Sequence, residues 1–130
     1  ENFRLIEKQQ YLFSHLNPLF IARYPQEQYS SVMKWLQRIP NAYLHFGDFD
    51  LAGINIYLKE FKQHLQNRAT FFVPKNIEAL IQQNGNRELY NQQIELKLSL
   101  DNVNEPALSH LVTLIHQYKK GLEQEALIAL

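Results

Sequence analysis

Short apolar segments alternate with helical patterns along most of the chain, and this alternation limits the fold more than any other feature of the sequence. Three of these segments are bounded by proline or glycine, which is typical of buried strands: 19–24 (LFIARY), 42–47 (AYLHFG) and 69–74 (ATFFVP). Between them, apolar residues recur at helical spacing in 26–38 and 51–66. Alternating strands and helices predict an α/β fold with a mostly parallel sheet, in which right-handed crossovers join the strands.

Helical patterns are also present toward both ends of the chain. Residues 3–16 and 75–85 have apolar residues at helical spacing, and a longer helical pattern starts near Pro106 and breaks at Gly121. The pattern is weaker between these helices. Residues 94–100 (IELKLSL) alternate like a strand, but a loop is an open alternative.

Length and composition indicate a single globular domain over 1–130. The 130 residues allow one core, and a charged content of 20% is ordinary for a globular protein. No apolar stretch approaches the ~18 residues of a membrane span and no signal peptide opens the sequence, so no membrane association is expected. The absence of cysteine excludes disulfides and thiolate metal ligands and is consistent with a cytoplasmic location. The sequence begins ENFRLIEKQ, without methionine, and we expect it to be a fragment of a longer protein.

The formal charges of the chain balance, with 13 basic and 13 acidic residues. A domain that binds DNA by itself usually has a positive excess, because phosphate contacts supply much of the affinity. If this domain acts on nucleic acid, we therefore expect other subunits to contribute most of the binding.

Asp48 and Asp50 lie where an apolar strand pattern ends and a helical pattern begins. Ligands bind at the carboxyl ends of parallel strands, and residues two apart in extended chain point to the same side. Two carboxylates about 5 Å apart repel by about 3 kcal/mol at an effective dielectric constant of about 20. A divalent cation would reverse this cost, and Mg²⁺ prefers a few carboxylates with waters and phosphate oxygens. Gly47 and Gly53 would let the backbone approach a ligand, and the helix from Leu51 points its positive end at the same place.

The same residues also have a purely structural interpretation. Asp50 could only cap the helix, Asp48 could be a solvated turn residue, and Gly47 could serve a tight turn. A D-x-D pair also occurs in phosphatases and sugar transferases. The aspartate pair by itself does not decide between a metal site and a structural role.

Three segments spread over the chain resemble the Toprim family, the metal-binding domain of topoisomerases, bacterial primases and several nucleases. GDFDLAG at 47–53 is similar to the D-x-D segment of that family, in the form found in topoisomerase VI A subunits, and EN at 1–2 is similar to its glutamate motif. With LEQE at 122–125, the order of these segments most resembles the C-terminal Toprim domain of the nuclease subunit of Wadjet-type anti-plasmid systems.

The resemblance implies a Rossmann-like, Toprim-like sheet and a site built from carboxylates. Glu1 would be the catalytic glutamate, as general base, general acid or metal ligand, and Asp48 and Asp50 would hold Mg²⁺, for which Mn²⁺ can substitute. Glu123 and Glu125 could add a ligand or be structural, and both options stay open. Because the family's glutamate follows a strand and nothing precedes Glu1 here, we expect the first strand of the sheet to be missing from this chain.

Two basic residues are candidates for contacts with DNA phosphates. Arg23 is close to the end of the predicted strand 19–24 and would lie at the same edge of the sheet as the aspartates. Lys59, with Lys62 and Arg68 nearby, could line a DNA path, although a solvated helix face explains these residues as well.

Three functions are compatible with these expectations. The first is Mg²⁺-dependent DNA cleavage by the nuclease module of a plasmid or phage defence complex, whose other subunits select the DNA. The second is a catalytically silent Toprim-like domain that docks partner subunits. The third is phosphotransfer on a small molecule, which would not need the glutamate or the LEQE segment. Metal binding by the aspartates separates the first from the second, and the preferred substrate separates the first from the third.

Overall fold

Two short parallel strands joined by a helical crossover form the sheet of the domain. The computed structural model of the protein describes residues 26–101 and 103–129. Strand β1 (Tyr43–His45) pairs in parallel, residue for residue, with strand β2 (Ala69–Phe71). In the described part of the chain the fold is therefore mixed α/β, with a two-stranded parallel sheet flanked by helices. The predicted fold class is confirmed at this level.

The crossover between the strands is one nearly continuous helical segment. It consists of helix α2 (Leu51–Ile56), a π-helical turn (Tyr57–Lys62), helix α3 (Gln63–Leu65) and a 3₁₀ turn (Gln66–Arg68). The helix predicted over 51–66 is confirmed, but its middle turn is π-helical, which the periodicity does not indicate. The apolar face of the crossover is buried, as expected for an amphipathic helix: Ile54, Leu58, Phe61 and Leu65.

Further helices surround this unit. They are α1 (Gln26–Arg38), α4 (Ile77–Asn84), α5 (Arg87–Gln93), α6 (Pro106–Tyr118) and a 3₁₀ helix (Gln124–Ala129). The helices predicted over 26–38 and 75–85 are confirmed, and Pro106 begins α6 because the first helical residue needs no N–H. The helix predicted over 3–16 and the strand predicted over 19–24 lie outside the described residues. Within the described ranges, no helix has the length and apolar character needed to cross a membrane.

Two side chains bind backbone groups at the outer edge of β2, where no strand of the described residues pairs. The Phe72 N–H bonds a β1 carbonyl, so the alternate residues of β2 direct their backbone groups away from β1. On that outer side, the Ala69 carbonyl accepts from Lys62 Nζ (2.8 Å), and the Phe71 N–H donates to Glu105 Oε1 (2.7 Å). Lys62 and Glu105 also form a salt bridge of 3.1 Å. This pair satisfies backbone groups that a neighbouring strand would otherwise bind.

Residues 94–100 form a loop, so the loop alternative for this segment is confirmed. The chain turns at residues 94–95 and continues without regular structure to residue 100. The apolar alternation persists in the loop, because Leu98 and Leu100 are half-buried against the core, whereas Ile94 and Leu96 are exposed.

A continuous cluster of buried side chains extends through the crossover, the sheet and the helices. Near the sheet it is aromatic: the centroid of the His45 ring lies 4.9 Å from that of Phe61, 5.1 Å from that of Tyr57 and 5.5 Å from that of Phe71. The side chain of His45 is therefore part of the core. The most deeply buried large side chains come from the crossover, from α4 and α6, and from the loop after β1 and the terminal segment: Phe49, Leu51, Ile54, Tyr57, Ile81, Leu108, Leu111, Leu114, Ile115, Leu122 and Leu127.

Candidate functional site at the end of strand β1

Two antiparallel backbone contacts hold Gly121 and Leu122, and one of them joins this segment to the loop that follows β1. Phe49 and Leu122 exchange backbone hydrogen bonds of 2.7 and 3.0 Å, and Asn86 and Gly121 exchange bonds of 2.7 and 3.1 Å. Phe49 is fully buried, and the two aspartates lie on either side of it. Gly121 is packed so closely that a Cβ atom there would lie 2.8 Å from the Cβ of Asp50. The segments 47–53 and 122–125, which the resemblance to Toprim domains groups together as a candidate site or as a structural contact, are thus neighbours.

The Asp50 carboxylate is buried, and both of its oxygens accept hydrogen bonds. Oδ1 accepts from the Gly53 N–H at 2.6 Å, so Asp50 caps the N-terminus of α2. Oδ2 accepts from Gln93 Nε2 at 3.2 Å, and Gln93 Oε1 accepts from the Ala52 N–H at 3.0 Å. The helix-cap interpretation of Asp50 is confirmed. Each carboxylate oxygen can accept more than one bond, so a cation contact by Asp50 remains compatible with this cap.

The two glycines beside the aspartates make room for other atoms of the protein. A Cβ atom on Gly53 would lie 2.4 Å from the Asp48 carbonyl oxygen and 3.0 Å from Asp50 Oδ1. A Cβ atom on Gly47 would lie 2.8 Å from Nε2 of His45. Neither glycine has a positive φ angle. Close approach was predicted at both positions, and in this structure the approaching groups belong to the protein.

The Asp48 carboxylate is half-buried among other carboxylates. Burial raises the pKa of Asp48; the Gln124 N–H, which donates to Oδ1 at 2.9 Å, lowers this pKa, and the negative charges of Asp50, Glu125 and Glu123 raise it further. Asp48 is therefore more than a solvated turn residue, since its side chain is partly withdrawn from water and bonded to a residue 76 positions away.

Asp48, Asp50, Glu123 and Glu125 are the part of the predicted site that the structure brings together. Glu123 is exposed and Glu125 is half-buried, and the contact between Phe49 and Leu122 holds both near Asp48. Within the described residues, no group of three His, Cys, Asp or Glu side chains is arranged to hold a metal ion. Glu1 and Arg23 lie outside the described residues, so their predicted roles remain predictions.

The basic residues of the crossover differ in their surroundings. Lys59 is exposed, as either interpretation of this residue requires. Lys62 is engaged with Glu105 and β2, and the Arg68 guanidinium donates to the carbonyls of Leu36 and Ile39. Lys62 and Arg68 therefore have structural partners, and of the three only Lys59 keeps the exposure that contact with a DNA backbone needs.

Sequence reasoning missed two residues that shape this region. Gln93 connects Asp50 to the start of α2 from a position 43 residues away, and a glutamine in a polar helix carries no signal for such a contact. Glu105 closes the edge of β2. Its position directly before a helix-starting proline is the one signal in the sequence that a polar side chain here could have a defined role.

The fold and the site define a mixed α/β domain with paired aspartates at the carboxyl end of a parallel strand. The chain belongs to the family described as "Domain of unknown function (DUF7281)", whose sequence profile matches residues 1–130. No curated protein and no solved structure matches the chain. These comparisons do not connect the chain to Toprim domains, so that relationship remains a prediction from the sequence.

Asp48→Asn is expected to stabilise the protein at neutral pH. The pKa of Asp48 is higher in the folded than in the unfolded chain, so the folded state retains this proton longer and stability falls as the pH rises through that pKa. An amide does not ionise and can still accept from the Gln124 N–H. We expect the free energy of unfolding at pH 7 to rise by a few tenths to about 1 kcal/mol, as for relief of charge repulsion at a partly solvated site.

Urea denaturation at a series of pH values measures this effect. The gain should vanish well below 3.8, the ordinary pKa of the group, because Asp48 is then protonated in both states. Asp101→Asn, at an exposed turn residue, is the matched control and should change little at any pH. If Asp48→Asn were less stable than the parent at pH 7, the Asp48 carboxylate would stabilise the fold on balance. The hydrogen bond from Gln124 would then outweigh the cost of burial and the repulsion by the neighbouring carboxylates.

Proposed function

We propose that this domain is a Toprim-like nuclease module that hydrolyses DNA phosphodiester bonds with Mg²⁺, as part of a cytoplasmic plasmid or phage defence complex. The observation that supports this most directly is the environment of Asp48. Its carboxylate is half-buried near three further carboxylates, and its pKa is raised. Such a site is costly for a fold to keep without a cation, and perturbed carboxylates of this kind occur frequently at functional sites.

The described residues fit a Mg²⁺ site in part. The Gln124 N–H occupies one oxygen of Asp48, and the second oxygen receives no hydrogen bond from the described residues. Asp48 and Asp50 would hold the ion, with Glu123 or Glu125 as a further ligand. Glu1, which lies outside the described residues, would be the remaining carboxylate ligand of the proposed Mg²⁺ site. Carboxylates, water and phosphate oxygens are the ligands that Mg²⁺ prefers.

In the proposed cleavage reaction, each group of the site would have a separate role. Mg²⁺, when bound, would stabilise charge on the phosphate and lower the pKa of an attacking water. Glu1 would take up or deliver the proton, and the buried contacts of Asp50 with Gly53 and Gln93 would keep the loop in place. Lys59 and Arg23 would contact DNA phosphates, while partner subunits would supply most of the DNA affinity because the net charge of the chain is zero.

A catalytically silent docking domain for partner subunits is the second candidate. Two observations favour it: the described residues alone do not complete a three-ligand metal site, and the chain has no positive excess. In this case Asp50 would be a helix cap, and the segment 122–125 would stabilise the loop after β1. Metal binding separates the two candidates.

A Mn²⁺ titration followed by NMR tests the metal site. Bound Mn²⁺ should broaden the amide signals of residues 47–54 and 122–125 before others, and Asp48→Asn should weaken binding by at least about 10-fold, since the variant loses a charged ligand. Asp48→Asn is preferred to Asp50→Asn because it preserves the helix cap, and Asp101→Asn controls for the change in net charge. Uniform broadening at millimolar Mn²⁺, identical in all variants, would contradict the metal site and favour the docking domain.

Cleavage of supercoiled circular DNA with Mg²⁺ then tests the reaction itself. The parent chain should nick or linearise the DNA, and Asp48→Asn should not. Local Mn²⁺ binding without any cleavage by the parent would show that the site binds a metal but that the proposed nuclease activity is wrong for this chain.

A further inference from the structure

The middle turn of the crossover is π-helical, although its sequence fits an α-helix. The buried apolar residues of the crossover recur at intervals of four, three and four positions: Ile54, Leu58, Phe61 and Leu65. A continuous α-helix would place them within an arc of about 60° around its axis. Instead, the Gln63 N–H donates to the carbonyl of Leu58, five residues earlier. The cause of this rare helix type therefore lies outside the local pattern.

Glu105 binds two side chains of the π-helical turn at one oxygen atom. Its Oε2 atom accepts from the Tyr57 hydroxyl at 2.6 Å and lies 3.1 Å from Lys62 Nζ. Tyr57 and Lys62 are five residues apart, which in an α-helix separates them by about 140° around the axis. In a π-helix the hydrogen bonds join residues five apart, so such residues lie on the same side. The π-helical turn therefore presents both side chains to the same carboxylate oxygen.

The contact with Glu105 is buried, and this makes the position of its partners important. Tyr57 is fully buried, and the side chains of Lys62 and Glu105 are 14% and 8% exposed. A carboxylate withdrawn from water needs partners for its charge, because a buried charge without them is costly. An α-helical crossover would turn one of the two donors away from Oε2. The buried carboxylate therefore favours the π-helical form.

The crossover is also strained where it ends. Gln66 has a φ angle of 55° and a ψ angle of −128°, a conformation that residues with a Cβ atom rarely adopt. It follows the π-helical turn after the 3 residues of α3. An α-helix covers the same length with fewer residues than a π-helix, so an α-helical crossover would leave a spare residue for the turn at 66–68. Gln66 is thus a second sign that the local chain does not favour the observed form.

We propose that Glu105 is a register lock, which holds the middle of the crossover in the π-helical form; without this lock the turn returns to an α-helix. The π-helical form directs Lys62 Nζ to the Ala69 carbonyl at the outer edge of β2, 2.8 Å away. Loss of the lock would turn Lys62 away from this edge. The helical form of the crossover and the closure of the β2 edge are therefore coupled. This device is independent of the proposed nuclease function.

Glu105→Gln removes the lock and keeps the shape of the side chain. Its one oxygen atom can still accept from the Phe71 N–H, as Oε1 of Glu105 does. Its NH₂ group would face the Tyr57 hydroxyl and the Lys62 ammonium group, and it cannot accept from either. We therefore expect this variant to release Lys62 and to let the turn become α-helical.

Scalar couplings across hydrogen bonds, measured by NMR, identify the acceptor of the Gln63 N–H. We expect coupling to the Leu58 carbonyl in the parent chain and to the Lys59 carbonyl, four residues earlier, in Glu105→Gln. Glu78→Gln is the matched control, because it also removes a carboxylate that accepts from a tyrosine hydroxyl at 2.7 Å. The control should keep the coupling of the parent chain.

Tyr57→Phe is a milder second variant. It removes one of the two donors at Oε2 and leaves the pair of Lys62 and Glu105, so we expect the Leu58 coupling to decrease and the Lys59 coupling to appear beside it. A full Leu58 coupling in both variants would overturn the proposal, because the π-helical turn would then persist without the lock. Coupling to Lys59 in the parent chain would overturn it as well, since the turn would then be α-helical with Glu105 in place.

Discussion

Glu105→Ala should lower the free energy of unfolding by about 3–5 kcal/mol, because it removes one partner of a buried ion pair. The carboxylate accepts from the Tyr57 hydroxyl at 2.6 Å and from the Phe71 N–H at 2.7 Å, and it pairs with Lys62 at 3.1 Å. Burial and the hydrogen bond to Glu105 raise the pKa of Tyr57, so this hydroxyl remains a donor at all physiological pH values. Alanine would leave these donors buried without an acceptor.

Two further variants separate the charge from the shape of this side chain. Glu105→Gln keeps the shape and one acceptor oxygen but directs an NH₂ group at donors, so we expect a smaller loss, about 1–3 kcal/mol. Glu88→Ala, at an exposed glutamate on α5, should change stability by about 0.5 kcal/mol or less. Urea denaturation should show the largest loss of stability for Glu105→Ala, a smaller loss for Glu105→Gln and the smallest for the control Glu88→Ala. If Glu105→Ala were as stable as Glu88→Ala, the closure of the β2 edge by Glu105 would not stabilise the fold.

Gly53→Ala should lower the free energy of unfolding by about 3 kcal/mol, although alanine is the better helix former. In an open helix the substitution would gain about 0.5–1 kcal/mol. Here the new Cβ atom would lie 2.4 Å from the Asp48 carbonyl oxygen, and a backbone atom cannot move aside as a side chain can. The clash exceeds the gain in helix propensity. The new Cβ atom would also lie 3.0 Å from Oδ1 of Asp50. The substitution would therefore displace the Asp50 side chain and weaken the helix cap.

Thermal unfolding and NMR spectra of Gly53→Ala measure this effect. Asn55→Ala, in the same helix, is the control for helix propensity and should shift the melting temperature much less. We expect the chemical-shift changes of Gly53→Ala to concentrate in residues 47–54, around the displaced loop. A gain in stability from Gly53→Ala would mean that the loop relaxes without cost, and that glycine is not required for the approach of Asp48 to α2.

The local elements of the fold could be predicted because each has its own periodic signal. The helix over 26–38 and the crossover over 51–66 show apolar residues at helical spacing, and both are present. The segments 42–47 and 69–74 contain the two strands of the sheet, and their parallel pairing follows from the helix between them. The cap by Asp50 could also be predicted, since an aspartate directly before a helix is a local feature.

The segment 94–100 shows why alternating apolar residues were not sufficient to predict a strand. Its pattern is that of a strand, yet the β2 edge of the described sheet is closed by the Lys62–Glu105 pair, which binds the Ala69 carbonyl and the Phe71 N–H. A strand forms only where another strand offers hydrogen-bonding groups, and no property of residues 94–100 indicates whether one does. The closure of the β2 edge depends on Lys62 and Glu105, which are distant from each other in the sequence.

The local chain, read alone, specifies where the helices and strands form and where Asp48 and Asp50 lie, because these features depend on neighbours within a few residues. The environment of that pair depends on residues far away in sequence. Gln93 bonds Asp50 across 43 positions, and Gln124 bonds Asp48 across 76. Burial and the charges of Glu123 and Glu125 then raise the pKa of Asp48, and both exist only after the terminal segment has packed against the loop. Contacts of this range carry no periodic signal, so only the folded arrangement decides them.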